Sequence, residues 1–151
     1  MNYEIVNLEE KTVVGISART NNSSPDMERI IGGLWNDFYQ DGIYEKIQNK
    51  TDFKALGLYY DYENGESADY TALVGCRVNN ADKLPENTVK TVIPQGKYAR
   101  FIVKGNMQKA VSDFWQELWK MDIPRSFICD FEEYQNSDFE NAEIHIYIGL
   151  K

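Results

Sequence analysis

Apolar residues of this chain fall into two helical stripes set among alternating runs. From Met27 onward, Ile30, Ile31, Leu34, Trp35 and Phe38 recur at three- and four-residue steps, the spacing of one face of an amphipathic helix. The turn-rich stretch from Asn21 to Asp26 precedes it and is suited to capping, and Gly42 and Ile43 mark its end. A second stripe, Phe114, Trp115, Leu118 and Trp119, predicts a helix over about 107–121, and Pro124 forbids its simple continuation. A further short helical turn is expected over 44–49. Between these segments the pattern is that of strands. Residues 3–8 and 11–16 read as one strand interrupted near Glu9 and Glu10, because β-branched residues dominate both parts. Residues 55–62 and 70–78 flank the turn Glu63-Asn64-Gly65-Glu66, where Asn-Gly is a strong hairpin signal. Residues 88–93 and 98–103 flank Pro94-Gln95-Gly96, and 127–134 and 143–148 form a last pair.

The order strand, helix, strand, strand occurs twice. Leu34-Trp35-Asn36-Asp37-Phe38-Tyr39 returns as Phe114-Trp115-Gln116-Glu117-Leu118-Trp119, and Tyr60-Asp61-Tyr62-Glu63-Asn64 returns as Glu132-Glu133-Tyr134-Gln135-Asn136. Two βαββ units, over about residues 1–80 and 86–151, predict an α+β fold. It is expected to be a single domain over 1–151, with an antiparallel sheet, two main helices and a ligand cleft between pseudo-twofold-related halves. In this alignment Tyr60 stands where the second half has Glu132.

Composition narrows the function. A net charge of -8, with 16 basic residues scattered rather than clustered, argues against direct nucleic-acid binding, which needs a basic face for phosphate. The start Met1-Asn2-Tyr3-Glu4 lacks the pattern of a signal peptide and no run of 18 apolar residues occurs, so a cytoplasmic protein with no membrane span is expected. Cys76 and Cys129 lack metal-ligand spacing and read as small buried thiols. Asp61, Glu63, Glu66 and Asp69 follow no Ca²⁺-loop spacing, and no Gly-rich phosphate loop appears, so neither a metal nor a cofactor is expected. His145, the only histidine, has no triad spacing and is expected at an edge or on the surface.

Four segments in order resemble the GyrI-like, AraC-type effector-binding domain family: Tyr3-Glu4-Ile5-Val6 with Thr12 to Ile16, Leu58-Tyr59-Tyr60-Asp61-Tyr62, Asp130-Phe131-Glu132-Glu133-Tyr134, and Ala142 to Ile148. The resemblance spans essentially the whole chain. It implies a cleft between two βαββ units that takes small molecules, often lipophilic and cationic, with an acidic residue inside. It further implies a stand-alone member, because the chain begins directly with the first strand and not with a DNA-binding segment. Some stand-alone relatives bind a protein such as DNA gyrase, and others hydrolyse reactive cyclopropane compounds, so a protein partner and a hydrolase both stay open as alternatives.

The family's acidic position falls on Glu132. Strand alternation is expected to put Ile128, Asp130, Glu132 and Tyr134 on one face and Phe127, Cys129, Phe131 and Glu133 on the other. A carboxylate sheltered among rings can pair with a cation or, with a raised pKa, serve as a general base. Tyr60, Tyr62, Tyr134, Trp35 and Trp119 are the expected aromatic walls, since rings attract a flat or quaternary cation by roughly 0.5–2 kcal/mol per good contact. Two of the three tryptophans are expected to pack under the sheet, with Trp35 or Trp119 left for the cleft.

Overall fold

The computed structural model describes residues 1–65 and 67–151; Glu66 of the predicted hairpin turn lies outside the described residues. The elements are β1 (Glu4–Leu8), β2 (Lys11–Thr20), α1 (Met27–Gln40), α2 (Ile43–Lys46), β3 (Ala55–Tyr60), β4 (Tyr70–Val78), β5 (Val89–Ile93), β6 (Gly96–Gly105), α3 (Met107–Leu118), β7 (Arg125–Tyr134) and β8 (Ala142–Leu150). The α+β expectation holds. All pairings among the named strands are antiparallel, in one sheet of order β1-β6-β8-β7-β3-β4-β2-β5.

That order has a consequence the repeat alone did not announce. β1 and β2 are joined only by Glu9 and Glu10, yet they stand first and seventh in the sheet. Such a link reaches on the order of 10 Å, whereas six strand spacings in a flat sheet cover roughly 29 Å. The sheet therefore curls until its ends approach. β5 and β6, joined by Pro94 and Gln95, impose the same requirement from the other side. The two halves also exchange their edge strands: β1 pairs with β6 of the second half, and β5 with β2 of the first.

Curling gives the sheet an inner and an outer face. The inner face holds a core to which all eight strands contribute, with Leu58, Leu73, Ile93, Tyr98, Phe131 and Tyr147 prominent. On the outer face, Leu34 and Phe38 of α1 pack against β4 residues such as Ala72 and Val74. The equivalent Phe114 and Leu118 of α3 pack against Phe101, Ile144, Ile146 and Ile148. Trp35 touches both outer clusters and so lies where the halves meet.

The two cysteines are buried free thiols, and burial pushes Cys76 up to about 12. His145 departs from expectation: β8 lies between β6 and β7 inside the sheet, and the His145 side chain, only 19% exposed, sits 2.9 Å from a Glu143 carboxylate oxygen. Among the described residues, no helix is long and apolar enough to cross a membrane, and no group of three or more His, Cys, Asp or Glu is placed to hold a metal ion.

Candidate ligand cleft

β3 and β7 are neighbours at the centre of the sheet, and their register fixes what faces the helices. Gly57 stands opposite Glu132, Leu58 opposite Phe131 and Tyr59 opposite Asp130. Leu56, Leu58 and Tyr60 turn to the inner core, so Gly57 and Tyr59 turn outward between α1 and α3. There Gly57 lies against the Glu132 carboxylate, and Tyr59 joins Glu132 and Tyr134 in the wall of a cavity of about 810 Å³.

The Glu132 carboxylate is part of this cavity's wall. Glu132 is 1% exposed. Its Oε2 accepts from the Tyr59 hydroxyl at 3.0 Å and from Trp115 Nε1 at 2.8 Å, and its Oε1 accepts from the Tyr134 hydroxyl at 2.8 Å. Among the described residues no ion pair reaches it. Burial raises the pKa of Glu132, and the three donors only partly oppose that rise. Burial, followed by proximity to Glu132, holds Tyr59 and Tyr134 well above the ordinary tyrosine range and lifts Tyr70 to about 12. The hydroxyls thus remain protonated donors at neutral pH.

Gly57 leaves room for this placement. A Cβ there would lie 3.1 Å from Glu132 Oε1, close enough to press on the carboxylate, and in ordinary contact with Trp35 Cζ2 at 3.4 Å. Rings close the remainder: Trp35 meets Tyr134 edge to face at 4.9 Å, and Trp115 meets Tyr59 likewise at 5.5 Å.

The structure brings together Glu132, Tyr134, Tyr62, Trp35 and Trp119 around the cavity, Trp119 being 41% exposed. It does not bring Tyr60, which lies on the opposite face against the inner core. The alignment that matched Tyr60 with Glu132 is displaced by one residue. A twofold centred on the Leu58–Phe131 pair exchanges Tyr59 with Glu132, and a one-residue slip in a strand reverses every side chain. The apolar alternation Leu56, Leu58, Tyr60 carries the signal that separates the two tyrosines.

Two further expectations change. Trp35 and Trp115 do pack against the outer clusters, but all three tryptophans also line the cavity, and Trp115, expected only to pack under the sheet, donates to the carboxylate. Alternation along β7 breaks before Asp130, where the register shifts and Phe127 has a positive φ of 55°. Ile128 is therefore 62% exposed rather than beside Glu132, while Phe127 packs on the Tyr62 ring at 5.8 Å. Asp130 does keep company with the cleft residues: it is fully buried, paired with Arg125 at 2.8 Å, and accepts from the Tyr62 hydroxyl at 2.6 Å and the Gly149 N–H at 2.9 Å.

Comparison with known proteins agrees with this geometry. The sequence profile of Cass2, the integron-associated effector binding protein, matches residues 4–150. YobU of Bacillus subtilis (strain 168), described as a transcriptional regulator, is 31% identical over 154 residues, covering 97% of this chain and 96% of YobU. The integron cassette protein VCH_CASS2 from the mobile metagenome of Vibrio cholerae superposes with a TM-score of 0.81 at 27% identity, over 99% of this chain and 95% of that one. SAV2435, solved bound to tetraphenylphosphonium, superposes with a TM-score of 0.83 at 22% identity, over 100% of this chain and 94% of its own.

Proposed function

Since the chain belongs to the Cass2 family of integron-associated effector binding proteins, we propose that its cleft binds lipophilic organic cations, with Glu132 as the counter-charge, for sensing or sequestration. One observation carries this reading: a carboxylate 1% exposed whose bonds, among the described residues, come from neutral donors alone. Burying an ion without a partner costs several kcal/mol, and a ligand's positive charge would offset that cost. The donor count narrows the ligand. Each carboxylate oxygen offers two acceptor sites, so Oε2 is filled by Tyr59 and Trp115 and Oε1 retains one. A quaternary ammonium or phosphonium ion has no N–H to donate. It needs the field of the carboxylate rather than its lone pairs, and the surrounding rings supply dispersion and cation–π attraction. That SAV2435 was solved with tetraphenylphosphonium supports the same ligand class.

The test is calorimetric titration with tetraphenylphosphonium and with neutral triphenylphosphine oxide. Glu132→Gln should weaken the phosphonium at least tenfold, about 1.4 kcal/mol, and leave the oxide unchanged. Equal affinity of the phosphonium for both proteins overturns the role of Glu132.

A further inference from the structure

α1 and α3 are equivalent helices, yet they are built to different standards. Asn106 caps α3, its side chain accepting from Lys109 N at 3.1 Å, whereas Asp26 before α1 makes no side-chain cap bond. The fully buried residues of α1, Leu34 and Phe38, both follow position 33, while ahead of it Ile31 packs against the same cluster only partly buried. Ahead of them stand two consecutive glycines, Gly32 and Gly33, where α3 has Ser112 and Asp113. Packing does not demand glycine at either place, because an added Cβ would meet nothing within 4 Å. Each costs the helix roughly 1 kcal/mol relative to alanine. The uncapped segment they set apart, from Met27 to Ile31, contributes Met27, Glu28 and Ile31 to the cavity wall.

We propose that Gly32 and Gly33 are specificity-determining residues: they form a hinge that lets the first two turns of α1 shift against the anchored remainder, so that one cleft accepts cations of different bulk. This rests on the cation-binding reading for its ligands but not for the motion itself. An aromatic cavity with a single fixed shape discriminates steeply by size; a wall that yields flattens that discrimination. α3, capped and free of glycine, is the fixed wall.

Two measurements test it. Hydrogen exchange on the unmodified protein should find the amides of residues 30–33 exchanging at least tenfold faster than those of residues 110–113, their α3 equivalents. Equal protection overturns the hinge without reference to any ligand. Titration with tetraethylammonium, methyltriphenylphosphonium and tetraphenylphosphonium should then show the spread of affinities widening at least fivefold in Gly33→Ala, with a raised Tm. Gly33 is the chosen site because it is not among the cavity-lining residues, so stiffening acts there without filling the cleft. A raised Tm with an unchanged spread overturns the proposal. If none of the cations binds the unmodified protein, the cation reading falls and the exchange measurement alone decides the hinge.

Discussion

Asp130 and Glu132 lie two residues apart on β7, are equally buried, and have opposite electrostatic histories. Asp130 meets a guanidinium, a tyrosine hydroxyl and a backbone N–H. Glu132 meets two hydroxyls and an indole, and no cation among the described residues. Hydrogen-bond capacity is well used at both sites, and charge is balanced at only one. An acidic residue in a fold is therefore informative when most of its hydrogen-bond sites are filled and its charge is unbalanced: the first makes burial bearable, and the second leaves a place for a ligand's charge.

The sharpest way to break the comparison is to remove the cation from the balanced site. Arg125→Met should destabilise the protein by about 3–5 kcal/mol in denaturant unfolding, because Asp130 is left buried without its counter-charge. If the loss is under about 1 kcal/mol, the two carboxylates do not differ as described. The mirror change, Glu132→Gln, should leave stability in the absence of ligand unchanged or raised at pH 7, since it removes a buried charge rather than exposing one. Its signature is in pH. A carboxyl whose folded pKa is raised binds more protons in the folded than in the unfolded state, so its contribution is greatest below the ordinary glutamate value of about 4.3 and is lost as pH rises through the folded pKa. Relative to Glu132→Gln, the ligand-free protein should thus lose stability from about pH 4.3 upward, and phosphonium affinity should climb over the same range as the carboxyl ionises. A difference between the two proteins that is flat in pH removes the raised pKa from the account.

Smaller effects sharpen the contrast. Tyr59→Phe deletes one donor to Oε2 and should cost about 1 kcal/mol of cation affinity at pH 7, several-fold in titration. Tyr60→Phe should leave binding unchanged within error, because that side chain faces the inner core. Should the two substitutions act alike, the register argument for the cleft fails.

Much of this was legible in the sequence because it is local. The stripe Ile31, Leu34, Trp35, Phe38, its echo in Phe114, Trp115, Leu118, and the Asn64-Gly65 turn declare helices and a hairpin from neighbouring residues alone. Glu132 was legible through the family resemblance. The face on which Tyr59 or Tyr60 lies was not settled by the repeat, because aligning weakly similar halves leaves a one-residue ambiguity and strand geometry turns that into opposite sides of a sheet. The break in alternation near Phe127 depends on a positive φ that a phenylalanine rarely adopts, and no composition signal marks it. Nor does any short-range pattern announce that β1 pairs with β6.

That last pairing bears on how the chain reaches its fold. Each half lends its edge strand to the other, so β1 and β5 must wait for partners encoded in the opposite half. Contacts so distant along the chain cost loop-closure entropy before they return any stabilisation, which slows folding relative to a fold of independent local units. It also makes the duplicated units interdependent. Neither has its full complement of strands alone, and β1 and β5 together close the inner core behind the floor of the cleft.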